Sequence, residues 1–378
     1  MRECGMLLPV ASLPSRYGIG AFSKEAYDFI DTLKAAGQSF WQILPLGPTG
    51  FGDSPYQSFS AFAGNPYFID LEKLTEEGLL TREECLDADF GNDERDIDYK
   101  KIYDGRFPLL RKAYERWKEG RSPELVHELA GRKLGDETRE YCFYMAVKNH
   151  FDSCSWNLWD EGIRLRKPEA LEAYRAMLTD EIGFYEFQQI KFEEQWDALK
   201  RYAHEQGIRI IGDIPIYVAF DSADSWAHPE LFQFDENCQP ITVAGCPPDG
   251  FSATGQLWGN PLYDYKAMAA DGYAWWLERI GKGLKSCSAI GIVYSLAAFA
   301  VLSMFGGPLS EMFMDAGETQ VMANAALFLT VNSAAYIPLA FVNIVRFLIQ
   351  GLGFTRQAVF AGVLEMAARV IVGVVMVP

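Results

Sequence analysis

Three irregular blocks carry the residues of this chain that could do chemistry. One runs Pro247-Pro-Asp-Gly-Phe-Ser-Ala-Thr-Gly-Gln-Leu-Trp-Gly-Asn-Pro-Leu-Tyr263. It shows neither the 3.6-residue period of a helix nor the two-residue period of a strand, so an irregular loop is expected. Loops this long are as a rule functional or disordered, and Phe251, Leu257, Trp258 and Tyr263 weigh against disorder. What remains is an ordered loop presenting Asp249, Gln256 and Trp258. A sugar has apolar ring faces and a rim of hydroxyls, and an indole beside a carboxylate and an amide complements both. A surface loop merely pinned by its aromatics accounts for these residues equally well. The other two blocks are Gly52-Asp-Ser-Pro-Tyr56-Gln-Ser-Phe-Ser-Ala-Phe-Ala-Gly-Asn-Pro66 and Gly212-Asp213-Ile-Pro-Ile-Tyr-Val-Ala-Phe-Asp-Ser222. Taken alone, Tyr56 could pack its own loop and Asp213, before Ile214-Pro215, could cap a turn.

The elements that must position these blocks read as strand, helix, strand. Met6–Val10 is a short apolar run with a buried-strand signal. Ser23 is placed to cap a helix with Phe22, Ala26, Phe29, Ile30 and Leu33 on one face, ended by Gly37. Ser39–Leu46 reads as a second strand. Phe187–Gln206 is a helical pattern followed by Gly207, and Ile208–Val218 reads as a third strand. Glu72–Glu181, between the second and third strands, is charged and mostly helical, an inserted subdomain. The expected class is therefore α/β, a partial (β/α)8 TIM barrel with a mostly helical insertion at about 72–181. Tyr56 follows the second strand, Asp213 lies near the end of the third and Trp258 is further on, at the rim where such barrels place their chemistry.

In this order and spacing the three blocks resemble the amylomaltases, the 4-α-glucanotransferases or disproportionating enzymes of glycoside hydrolase family 77. Leu8-Pro-Val-Ala-Ser-Leu-Pro14, Tyr17-Gly-Ile-Gly20, Trp41-Gln-Ile-Leu-Pro-Leu-Gly-Pro48 and Gly272-Tyr-Ala-Trp-Trp276 carry the same likeness, which spans about residues 1–284. The resemblance implies a (β/α)8 barrel that moves α-1,4-glucan segments between malto-oligosaccharides or to glucose, without cofactor or metal. It places Tyr56 at the glucosyl subsite beside the scissile bond and Asp213 on a sugar hydroxyl there. Asp249, Ser252, Gln256 and Trp258 would line the acceptor-side loop. Gly250 stands where relatives often carry a larger residue.

Retaining transfer needs two carboxylates, one attacking the anomeric carbon and the other acting as acid and then base. In the family these lie in Arg-x-Asp-His and Ala-Glu-Asp-Leu-Gly contexts, with a third carboxylate in a His-Asp pair. None of those strings occurs here, and no His follows His228. The likeness implies a substrate-holding half-site with no catalytic residue of its own. A membrane transporter, carried by the part of the chain after residue 284, is the first alternative, and a non-catalytic glucan-binding module is the second. His127, His150, His204 and His228 are not spaced as metal ligands, and Gly18-Ile-Gly20 is too short for a dinucleotide fingerprint.

Composition divides the chain. Of 34 Lys and Arg and 51 Asp and Glu, net −17, only Lys285, Arg346, Arg356, Arg369, Glu311, Asp315, Glu318 and Glu365 follow Leu284. The acidic first part argues against nucleic acid as a partner. Seven Cys without paired spacing fit reduced thiols and a cytoplasmic location for 1–284. The tail is different. Ser286–Ser310 and Thr319–Val345 are free of charge for 25 and 27 residues, enough to cross a bilayer. Positive-inside places Lys285 and Arg346–Arg356 in the cytoplasm and Glu311–Glu318 outside. Residues 347–356 with 362–369 resemble the multidrug and toxic compound extrusion transporters. Residues 285–378 are thus expected to form an all-α transmembrane tail in the lipid bilayer, a transporter-like fragment joined to the first part near residue 284 in a chimeric or truncated chain.

Overall fold

The computed structural model describes residues 3–49, 53–91, 93, 95–250 and 252–311, with positions 324, 325, 327, 329, 330, 333 and 339. It divides into two units, residues 1–270 and 271–378. In the first, strand β1 (Gly5–Leu7) leads through helix α1 (Lys24–Ala35) to strand β2 (Phe40–Gln42). Ser23 holds the N-cap position of α1, but its hydroxyl turns to the Glu25 carboxylate at 2.6 Å instead of the helix amides. Ala26, Ile30 and Leu33 are buried on one face, as their spacing requires. Gly37 ends the turn at φ +69.

The insertion follows as α2 (Leu71–Glu76), α3 (Arg82–Asp87), α4 (Tyr99–Lys118), α5 (Pro123–Lys133), α6 (Asp136–His150), α7 (Glu161–Arg164) and α8 (Pro168–Met177). Short helices here depend on their ends. Thr81 and Glu84 form a reciprocal capping box on α3, and Arg116 of α4 grips the same Glu84 carboxylate at 2.7 and 2.8 Å. Those hydrogen bonds, from Arg116 first, hold the Glu84 carboxyl down to about 2. Helix α9 (Thr179–Glu205) returns to the sheet, with every residue from Ile182 to Phe192 buried. It starts before the Phe187 start that the apolar pattern marks: Ile182, Phe184 and Tyr185 are already buried, after a polar and partly exposed first turn of Thr179, Asp180 and Glu181.

Strand β3 (Arg209–Ile211) completes a parallel sheet of order β1-β2-β3, with Leu7, Gln42 and Ile211 in one register row. One face is filled. Trp41 is fully buried, its indole N–H donates to Leu8 O at 2.8 Å and Phe29 of α1 meets it edge-on at 5.2 Å. The expected third strand, 208–218, is cut short at Ile211. Pro215 has no N–H for a ladder, and from Gly212 on the chain serves the site instead. After helix α10 (Ala223–Ala227) come strands β4 (Val243–Cys246) and β5 (Gln256–Pro261), which pair antiparallel, then helix α11 (Tyr265–Ala270). The stretch expected to be loop throughout thus contains a strand. Gly259, Asn260 and Pro261 hide it from a periodicity reading.

In the second unit, helix α12 (Ala274–Glu311) opens with Trp275 against Trp276 at 5.0 Å, and the Arg279 guanidinium lies over both rings. The expected junction at Leu284 falls inside this helix. Among the described residues no helix is long and apolar enough to cross a membrane. The transmembrane tail therefore finds no support in them. The runs 319–345, isolated positions apart, and 357–378 lie outside the described residues.

His228, after α10, supplies a pH test of the first unit. Its Nε2 lies 3.0 and 3.1 Å from the Glu137 carboxylate oxygens of α6, and its Nδ1 lies 3.6 Å from Glu230. Burial opposes its charge, but the Glu137 and Glu230 carboxylates outweigh it and raise the imidazole from 6.5 to about 10. A pKa raised by folding contributes stability that is full below 6.5 and lost as pH rises through about 10. The melting temperature is expected to fall across that window more steeply in the native chain than in His228→Gln. Parallel curves for the two would show that the cluster contributes nothing.

Candidate functional site

Tyr56 and Asp213, 157 residues apart in sequence, meet directly. The Tyr56 hydroxyl donates to Asp213 Oδ2 at 2.6 Å. That hydrogen bond, with some burial, raises the phenol to about 12. The ring itself is 43% exposed, so its face is open to a ligand while its hydroxyl is held. Asp213 sits two residues past β3, and Tyr56 follows β2, so both lie beyond the C-terminal ends of parallel strands.

Trp258 on β5 is also 43% exposed. Its indole N–H donates to Gln256 Oε1 at 3.0 Å, so the two acceptor-loop residues fix one another. Tyr217 lies 6.4 Å from the Trp258 ring and stacks on Tyr263 at 5.9 Å. Asp249 and Ser252 close their own turn. Ser252 N–H donates to Asp249 Oδ1 at 2.8 Å, Asp249 N–H donates to Ser252 O at 3.0 Å, and the Ser252 hydroxyl donates to Gly255 O at 2.7 Å. Gly255 has φ +75, and a Cβ there would meet Cys246 O at 2.6 Å, so only glycine closes this turn against β4.

What joins the three blocks is a clamp of two amides. Gln57 Nε2 donates to Asn260 Oδ1 at 2.9 Å and to Trp258 O at 3.2 Å. Asn260 Nδ2 donates to Val218 O at 2.8 Å, and the Tyr263 hydroxyl donates to Ile216 O at 3.0 Å. The Tyr56 loop, the segment after β3 and β5 are thereby locked together. Sequence reasoning missed Gln57 and Asn260. Their only signal is an amide beside each aromatic of interest, and the partners are 203 residues apart.

The site thus offers two open aromatic faces, an aspartate and an array of amides, a complement to a polyhydroxylated ring. A family profile described as 4-alpha-glucanotransferase matches residues 8–297. The chain belongs to the 4-alpha-glucanotransferase family. A 4-alpha-glucanotransferase of Streptococcus pneumoniae serotype 4 is 50% identical over 285 residues, 75% of this chain and 56% of that protein. One of Thermus thermophilus is 46% identical over 286 residues, again 75% and 56%. Among solved structures, an amylomaltase from Streptococcus agalactiae in complex with acarbose superposes with a TM-score of 0.71 at 43% identity, covering 75% of this chain and 58% of that one. The chain spans a little over half the length of these relatives. Nothing in these comparisons supports the transporter likeness of the tail.

The clamp predicts a coupled loss of stability. Asn260 is 3% exposed, so Asn260→Ala strands buried groups and is expected to cost about 1–3 kcal/mol in denaturant unfolding. Gln57→Ala should cost less alone, and the double substitution less than the sum of the two, since one bond is removed twice. Strict additivity would show that the two amides do not act as a unit.

Proposed function

We propose that this chain carries the glucan-holding part of a 4-α-glucanotransferase, a cytoplasmic enzyme type that moves segments of α-1,4-glucan to malto-oligosaccharides or glucose by retaining double displacement. The observation that carries the reading is the Tyr56–Asp213 pair, open on its ring face and clamped to the Trp258 strand, in a chain of this family. A glucosyl ring stacks on Tyr56 while Asp213 accepts from one of its hydroxyls; Trp258 receives the next ring on its exposed face. Asp249 and Ser252 act indirectly, by shaping the turn that leads into β5. The streptococcal amylomaltase neighbour is in complex with acarbose, a chain of linked glucose-like rings, which supports this reading.

The family's nucleophile and acid/base contexts are absent from this sequence, so binding and turnover separate. Nothing in the described residues favours a transport role for the tail, and no bilayer partner forms part of this reading.

Calorimetric titration of the full chain with maltotriose tests it. Saturable binding is expected, weakened about tenfold by Trp258→Ala, an amount equal to roughly 1.4 kcal/mol. Asp213→Asn is expected to weaken it as well, through the lost charge-assisted bond. Glucose release from maltotriose should be lower than in the pneumococcal relative by on the order of a million-fold, the usual consequence of lacking a nucleophile with its partners. No binding at all, or binding indifferent to both substitutions, would remove the reading. Turnover at ordinary enzyme rates would overturn the absence of catalytic carboxylates.

A further inference from the structure

Lys148 of α6 sits where three parts of the first unit meet. At 4% exposure its ammonium is cut off from water, so the charge needs partners within the protein. It finds them outside its own helix. Nζ donates to Asp221 Oδ2 at 2.6 Å and to Cys154 O at 3.1 Å, and it lies 5.3 Å from the centre of the Phe59 ring. The buried Tyr144 hydroxyl, one turn earlier on α6, donates to the other Asp221 oxygen at 2.6 Å. Two of the segments gripped in this way belong to the candidate site. Phe59 is on the Tyr56 loop, and Asp221 ends the segment that opens with Gly212 and Asp213. The two are also tied to each other, since Ala223 N–H donates to Phe59 O at 2.8 Å. The Trp156 indole N–H donates to Phe220 O at 2.8 Å and so holds the peptide group just before Asp221.

Resting on the function proposed above, we infer that Lys148 and Asp221 are positioning residues for glucan binding: through their ion pair the helical insertion sets where Tyr56 and Asp213 stand. Three observations select this role. The first is the chemistry of the pair. A methionine would fill the Lys148 position with no desolvation to offset, and a buried ion pair is often no more stable than its apolar replacement. What the charged tip adds is direction, because the ammonium must keep both Asp221 and the Phe59 face within reach. The second is its place in the bonding scheme. The Tyr56–Asp213 bond and the Gln57–Asn260 clamp join the segments of the site to one another, whereas Lys148 joins two of those segments to α6. The third is that the Tyr56 ring is open and Asp213 is only half-buried, so water competes for the bond between them. Two groups so exposed keep one geometry only if the chain behind each is fixed, and Lys148 fixes both.

The test compares the native full chain with Lys148→Met and with the double variant Lys148→Met/Asp221→Asn. The double variant removes both charges and leaves the Tyr144 hydroxyl an acceptor, so it keeps the fold where the single change might not. Maltotriose affinity by calorimetry, melting temperature and amide hydrogen exchange are measured on each. Both variants are expected to bind maltotriose about tenfold more weakly. Without ligand, exchange should quicken in peptides covering 54–60 and 212–221 and stay unchanged in α5. Val126→Ala, a cavity in the buried face of α5, should lower the melting temperature and leave the affinity intact. Native affinity in the double variant would overturn the positioning role. So would an affinity loss that follows the melting temperature equally in Val126→Ala, since any loss of stability would then suffice. If the native chain itself fails to bind maltotriose, the glucan reading falls, and the exchange pattern alone decides: quickening confined to 54–60 and 212–221 supports the positioning role, and uniform or absent quickening overturns it.

Discussion

Backbone groups in loops that serve a site have no ladder to satisfy them, and the first unit depends on side chains doing that job. The segment 58–70 runs through the interior, where an unpaired peptide group is costly. Buried Gln189 of α9 accepts from Gly64 N–H at 2.8 Å and donates back to Gly64 O at 2.9 Å, as a neighbouring strand would. Gln195, two turns on, does the same for Asp70 at 2.7 and 3.3 Å. Asp224 of α10 accepts from Ala61 N–H at 2.9 Å, Ser58 donates to Pro48 O and Ser60 O, and buried Arg106 of α4 donates to Ile69 O. Gly64 allows the closeness, since a Cβ would sit 2.3 Å from the Phe192 ring. The long buried face of α9 is therefore polar at chosen places, and it is the template on which the Tyr56 loop is laid.

From that template the site follows by steps. A fixed loop holds Tyr56 and Gln57. Gln57 and Asn260 fasten the loop to β5 and, through Val218, to the segment after β3. The same segment carries Asp213 to the Tyr56 hydroxyl. The exposed aromatic faces are thus presented by an irregular scaffold pinned by side-chain hydrogen bonds, which is what a binding site for a polar, multi-hydroxyl ligand needs to avoid a large ordering cost. The helical insertion contributes by enclosing the first half of α9, and so by keeping Gln189 and Gln195 in register with the loop.

Much of this was legible in the residues. The strand–helix–strand order, the buried stripe of α1, the Gly37 stop and the helical insertion all follow from periodicity and capping. Tyr56 and Asp213 stood out through their blocks, and the structure brings them together. Other features were hidden for physical reasons. The third strand ends at Ile211 because Pro215 and the demands of the site override the β-branched run 208–218. β5 carries no strand signal because its burial pattern switches from exposed to buried along its length with no alternation. The amides of Gln57, Asn260, Gln189 and Gln195 carry no periodic signal at all; their role is set by partners more than a hundred residues away. The charge-free tail stood out clearly by composition, but composition alone did not yield a membrane helix among the described residues.

The central claim is that one glucan-binding surface is formed by three blocks distant in sequence and clamped together. Amide hydrogen exchange of the full chain, with and without saturating maltotriose, tests it most directly. The account predicts slowed exchange in peptides covering 54–60, 212–218 and 256–260, with little change in α5 or α8. Protection confined to the helical insertion, or bound maltotriose that leaves those three segments unchanged, would contradict it.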